Sequence, residues 1–199
     1  MIRDIVFDIG WVFVGIHPEP MLEFLRRHGA PKIEWEALLE RVGLNEHETG
    51  RLDGPGLMAR FRALAPQAPL AELRQHWLDV FSPREDMMQL ARRVAPHHGV
   101  YLLSNIGDLH WQHLVSRHAV DRIGHGALTS FDAGLMKPDG GIYAQAESRF
   151  GLVPASTVFI DDRTENIEAA RARGWHGIVH RDFHDTRLAL LRLGVEAAR

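Results

Sequence analysis

Four short stretches carry side chains able to do chemistry: Asp8 in "IVFDIGWVFV", Ser104 and Asn105 in "VYLLSN", Lys137 in "GLMKPDGGIY", and Asp161 with Asp162 in "VFIDDRTENIEAARARGW". Asp8 interrupts an otherwise apolar run. A carboxylate in such a run must be neutralised, paired, or placed where the run reaches solvent or a metal. Adjacent acids such as Asp161 and Asp162 repel each other and need positive charge nearby. Mg²⁺ would supply that charge, since it prefers oxygen ligands and commonly takes one or two carboxylates together with a substrate phosphate. The plainer alternative for the pair is an N-cap, because "DDRTEN" precedes an amphipathic helix.

These residues need elements to hold them at one place. Asp4 to Phe7, Val100 to Leu103, Thr157 to Ile160 and, more weakly, Gly177 to Val179 read as buried strands, with helical stretches between them. That alternation predicts an α/β fold, a Rossmann-like parallel sheet with helices on both faces. Ligands in such sheets bind beyond the carboxyl ends of the strands. Three of the four runs end there in polar residues: Asp8, Ser104 with Asn105, and Asp161 with Asp162.

Between residues 15 and 80 the alternation stops. Pro18 to Arg27, Ile33 to Val42, Gly56 to Leu64 and Leu70 to Val80 read as helices, with Pro18, Pro31, Pro55 and Pro69 near their starts. The expected organisation is therefore a core formed by 1–14 and 81–199, with an all-helical cap at 15–80. "HETGRLDGPG" supplies turn residues inside the cap, which serves as a mobile lid or as a packing element.

Composition narrows the functions. The net charge of −3 and the lack of long Lys/Arg blocks leave no footprint for nucleic acid or an anionic membrane. No apolar run approaches the ~18 residues of a membrane span, and Asp4 falls too early for a secretory signal, so a cytoplasmic protein is expected. With no cysteine, thiolate nucleophiles and Cys-based metal sites are excluded.

Taken in order and in strand context, the four blocks resemble the signature of the haloacid dehalogenase-like (HAD) hydrolases, over most of the chain outside the insert. The insert falls after the first block, where that family places its smaller helical cap. The resemblance implies that Asp8 is a nucleophile forming an aspartyl-phosphate. It implies that Ser104, Asn105 and Lys137 bind the phosphoryl group, and that Lys137 also neutralises charge on Asp8. It further implies Mg²⁺ held by Asp8, the Gly10 carbonyl and the Asp161–Asp162 pair, at least one of which is a direct ligand. Each role has a plainer counterpart: a turn-capping Asp8, a Ser-Asn turn, a solvated Lys137.

The chain departs from the family pattern at three positions. The family's general acid, two residues after the nucleophile, is replaced by Gly10; such proton transfer typically contributes ~10² to 10⁴ in rate. His17 and His47 are the nearest surrogates in sequence. Trp11 stands where a small residue is usual and is read as packing rather than catalytic. Gly140 replaces a frequent second Pro. Members of the phosphatase branch with Asp-x-Gly first blocks imply that activity survives without the second Asp.

Three functions fit. The first is a Mg²⁺-dependent phosphatase acting on a small phosphorylated metabolite, sugar phosphates included, as a monomer or homodimer. The second is a non-catalytic scaffold that binds metal or phosphate. The third, a 2-haloacid dehalogenase, fits less well, because two adjacent carboxylates disfavour a halide.

Overall fold

The computed structural model describes residues 1–199. The core begins with β1 (Asp4–Phe7) and, after the cap, continues through α6 (Glu85–Val94), β4 (Gly99–Ser104), α7 (Asp108–His118), β5 (Gly126–Thr129), α8 (Ser130–Ala133) and α9 (Gly140–Phe150). It ends with β6 (Thr157–Asp161), α10 (Thr164–Ala172), β7 (His176–Val179) and α11 (Phe183–Arg192). The five core strands form one parallel sheet in the order β5-β4-β1-β6-β7.

β1 lies at the centre, with Phe7 opposite Leu102 on one side and Ile160 on the other. Strands covered on both faces read as continuous apolar runs, and the pleat divides their side chains between two cores. Ile5 and Phe7 enter a cluster with Met88, Leu90 and Leu190. Val6 enters another with Tyr143, Phe159 and Trp175 on the opposite face. α6 shows how the covering helices are built: Met87, Leu90, Ala91 and Val94 share a buried stripe, acids fill its first turn and arginines its last.

The insert holds α1 (Glu19–Arg27), α2 (Trp35–Arg41), α3 (Leu44–Glu48), α4 (Gly54–Leu64) and α5 (Leu70–Leu78). These helices surround their own core of residues such as Leu38, Phe61 and Trp77, into which α7 contributes Leu109. The chain enters and leaves the insert through an antiparallel ribbon of β2 (Val14–Ile16) and β3 (Phe81–Pro83), pairing Gly15 with Ser82.

Three elements differ from the sequence expectation. In the ribbon, β2 straddles the expected boundary after residue 14 and β3 begins at the expected boundary at 81, where no strand is expected. α3 is an additional cap helix, only five residues long and polar. β5 is an additional core strand whose Gly126 and Ala127 carry too little apolar bulk to read as buried. Phe150 explains that smallness, because a Cβ on Gly126 would lie 2.9 Å from its ring.

Candidate active site

The sheet order places the ends of β4, β1 and β6 side by side, which brings the strand-end residues together. Asp8 follows β1 and is 7% exposed. Its Oδ1 accepts hydrogen bonds from the Ile9 amide at 2.6 Å and from Lys137 Nζ at 2.8 Å. Lys137 reaches equally to Asp161 Oδ2, at 2.7 Å. One buried ammonium thus bridges two buried carboxylates.

The electrostatics follow from that count. Burial pushes the Asp8 carboxyl up to about 6, with Lys137 pulling it down, Asp161 pushing it up and the Ser104 hydroxyl favouring the ionised form. Burial also acts against the Lys137 ammonium, but Asp8 and Asp161 outweigh it and hold its pKa above the ordinary lysine value.

Asp161 is completely buried and fully engaged. Besides Lys137 it accepts from the Arg163 amide at 2.8 Å and from Asn166 Nδ2 at 2.9 and 3.0 Å. The Asn166 backbone is held in turn, since its main-chain carbonyl accepts from the Tyr143 hydroxyl at 2.9 Å. Asp162 is half-buried, raised above the ordinary aspartate value by burial and then by Asp161, and lines the cavity. Ligand atoms of Asp8, Asp161 and Asp162 converge within 4.8 Å of one another. All are hard oxygens, and three carboxylates face a single ammonium, so the cluster suits Mg²⁺. Asp8 and Asp162 are the acids with oxygens to spare, whereas recruiting Asp161 would break bonds it already makes.

Ser104 ends β4 and is buried beside Asp8. Asn105 lines the cavity, but its side chain is occupied: Oδ1 accepts from the Lys137 amide at 2.8 Å, and Nδ2 donates to the Lys137 carbonyl at 2.9 Å. The next amide, Ile106, is taken by Ser130 Oγ at 2.9 Å, so it is not free for a phosphoryl oxygen.

The cavity above these residues has a volume of about 840 Å³. The core contributes Asp8, Gly10, Asp162 and Arg163 to its wall, and the cap contributes Glu36, Glu40, Leu44 and Glu48. Trp11 also lines it, 42% exposed, with a left-handed φ of 56° and the Arg84 guanidinium 5.8 Å from its ring centroid. Trp11, read as a packing rather than a catalytic residue, thus stands where its bulk narrows the cavity. Its strained backbone turns the ring out of the core and onto the cavity wall.

Neither histidine near the first block supplies the missing acid here. His17 is exposed just after β2, with Nε2 2.8 Å from Ser82 Oγ. His47 is buried against α7, its Nδ1 2.9 Å from the Leu52 carbonyl. Glu48, Arg163 and Asn166 are among the cavity residues that escape the sequence reading. Asn166 had a usable signal, since its position five residues after Asp161 places it on the first turn of the following helix. Glu48, in a stretch that reads as loop, had none.

The comparisons with known proteins agree with this architecture. The model of the haloacid dehalogenase-like hydrolase family matches residues 12–174. The sesquiterpene phosphatase astK of Aspergillus oryzae is 31% identical over 94 residues, 47% of this chain and 48% of that protein, so the match spans about half the relative's length. A HAD family enzyme of Bacteroides thetaiotaomicron, solved with magnesium and inorganic phosphate, superposes with a TM-score of 0.82 at 22% identity, over 91% of this chain and 95% of that one. A HAD-like family hydrolase of Porphyromonas gingivalis gives 0.79 at 23% identity, over 96% and 98%. At such identities these two structures establish the fold alone.

Proposed function

The chain belongs to the haloacid dehalogenase-like hydrolases, and from that membership we propose that it is a Mg²⁺-dependent phosphatase of small phosphorylated metabolites, sugar phosphates among them. The observation that carries this reading is Lys137 bridging Asp8 and Asp161 beneath an open cavity. It leaves Asp8 Oδ2 as a nucleophile next to a fixed positive charge.

Asp8 attacks phosphorus, an oxygen–phosphorus bond forms to its carboxylate, and the ester oxygen departs. Water then cleaves the aspartyl-phosphate, which returns the carboxylate and releases inorganic phosphate. Lys137 offsets the charge gathered on the phosphoryl oxygens, with Ser104 beside Asp8 as a further donor. Asp8, Asp162 and the Gly10 carbonyl are the groups that would hold Mg²⁺, whose charge would let a phosphate dianion approach three carboxylates. The magnesium and phosphate bound to the Bacteroides enzyme, and the activity named for the Aspergillus relative, support the same chemistry.

The absence of a side chain at Gly10 favours a second reading, a binding scaffold without turnover. Phosphate release from p-nitrophenyl phosphate and a panel of sugar phosphates, with Mg²⁺ and with chelator, separates the two. Metal-dependent release that disappears in Asp8→Asn supports the phosphatase; release from no substrate supports the scaffold.

A further inference from the structure

Glu48 is a carboxylate of the cap that lines the same cavity as Asp8, and neither a hydrogen bond nor an ion pair engages it. We propose that Glu48, supplied by the cap, is the general acid and base of this site, in place of the side chain that Gly10 lacks. This inference rests on the phosphatase reading above.

The placement of Glu48 carries the proposal. The residues on either side of it are pressed onto the core. His47, one residue before, packs on the turn that follows β4, where a Cβ on Gly107 would lie 2.2 Å from its ring. Gly50, two residues after, lies against the chain that follows β5. It has a φ of 72°, and a Cβ there would lie 2.6 Å from the Phe131 carbonyl oxygen. Only glycine allows that approach in that conformation. Two contacts therefore pin a short segment of cap across the carboxyl end of the sheet, with Glu48 between them.

The surroundings suit proton transfer. Glu48 lines the cavity together with Asp8, Lys137 and Arg163. Burial, and then the charge of Asp8, push its carboxyl up to about 7, against weaker pulls from Lys137 and Arg163. It can therefore hold a proton near neutral pH. In the first half-reaction, as the Asp8–phosphorus bond forms and the ester bond breaks, the Glu48 proton goes to the departing oxygen and an alcohol leaves. In the second, the carboxylate takes a proton from the water that attacks the aspartyl-phosphate, which regenerates protonated Glu48.

The test compares Glu48→Gln with the unaltered chain on p-nitrophenyl phosphate and on an alkyl phosphate such as glycerol phosphate. Nitrophenolate leaves without protonation, whereas an alkoxide does not. Glu48→Gln should lower kcat/KM, which reports the step in which the ester oxygen leaves, ~10²-fold or more on the alkyl ester and several-fold at most on the aryl ester, while kcat falls on both through the shared hydrolysis of the aspartyl-phosphate. The retained aryl kcat/KM also shows that the variant folds. Adding Gly10→Asp should restore much of the alkyl rate, since a Cβ on Gly10 meets nothing within 4 Å. An equal fall in kcat/KM on both esters, an unchanged alkyl kcat/KM, or no rescue by Gly10→Asp would overturn the role of Glu48 while leaving the phosphatase standing. No hydrolysis by the unaltered chain would overturn the phosphatase, and Glu48's role with it.

Discussion

Asn105 holds Lys137 by its main chain, accepting from the amide at 2.8 Å and donating to the carbonyl at 2.9 Å. A residue at the end of β4 thereby sets where an ammonium between β1 and β6 stands. Asn105→Ala removes both bonds, each contributing ~1 kcal/mol. The shifted ammonium should lower kcat ~10²-fold, because small displacements of reacting groups are costly. Steady-state kinetics with thermal unfolding checks both effects, and an unchanged kcat would show that Lys137 is positioned by other contacts.

Removing the ammonium should be more damaging. Lys137→Met leaves Asp8 and Asp161 buried without their shared partner, a loss expected to cost ~3–5 kcal/mol of stability. Without Lys137 the Asp8 carboxyl is raised further. A raised carboxyl contributes stability below its unfolded pKa and loses it as pH rises through the folded value. The Tm deficit of the variant should therefore be smaller at pH 5 than at pH 8, in metal-free buffer.

The two adjacent acids should separate by experiment. Asp162→Ala removes a carboxylate without protein partners, so calorimetry should show Mg²⁺ binding lost and Tm nearly unchanged. Asp161→Ala leaves Lys137 with Asp8 alone and strands the Asn166 amide and the Arg163 N–H, so its main effect should be a Tm fall of several degrees. The opposite pattern would exchange their roles.

Glu48 gives a prediction about pH and stability. Its carboxyl is raised to about 7 from an ordinary 4.5 by burial, then by Asp8. Its contribution is present below about 4.5 and lost as pH rises through about 7. Glu48→Gln should consequently stabilise the metal-free protein at pH 8, by ~1 kcal/mol or ~2–4 °C once its open side toward the cavity is allowed for, and leave Tm unaltered at pH 4.5. Equal shifts at both values would mean that Glu48 is not charged near neutrality.

The cap should not move as one lid. Its α5 is anchored to α7, where His110 Nε2 stands 2.8 Å from the Trp77 carbonyl and the rings stack at 4.4 Å. Burial holds the His110 imidazole down at about 3, hence neutral. Hydrogen exchange with Mg²⁺ and phosphate should report changes over 35–41, the α2 helix whose Glu36 and Glu40 line the cavity, and little over α1, α4, α5 and the pinned residues 47–50. Uniform change across 15–80 would indicate rigid-body gating instead.

The legible parts of this protein were those where one requirement dominates. Asp8, Ser104 and Asp161 stand out because a central strand is apolar until it ends, so a polar residue there marks the mouth of the sheet. Lys137 needed the family block to be seen, since nothing local distinguishes a buried lysine from a solvated one. β5 was hidden because its neighbour Phe150 provides the bulk that strands usually carry themselves. Glu48 was hidden because its place depends on Gly50 and Gly107, far apart in sequence, each allowing a close approach to the other domain. The bulk of Trp11 was legible as packing, but its direction was not, because its positive φ is what turns the ring onto the cavity wall.

The ribbon has a consequence for how this chain can change. Val14 pairs with Pro83, Gly15 with Ser82 and Ile16 with Phe81, so the chain returns from its excursion one strand spacing from where it left. To the sheet, a five-helix insert and a tight hairpin turn are interchangeable as loops. Anything placed between Ile16 and Phe81 inherits a fixed doorway above Asp8. The registers of the sheet are thus set apart from the cap, which can be lengthened or shortened without shifting them, whereas exchanging it would also take Glu48 away from the cavity.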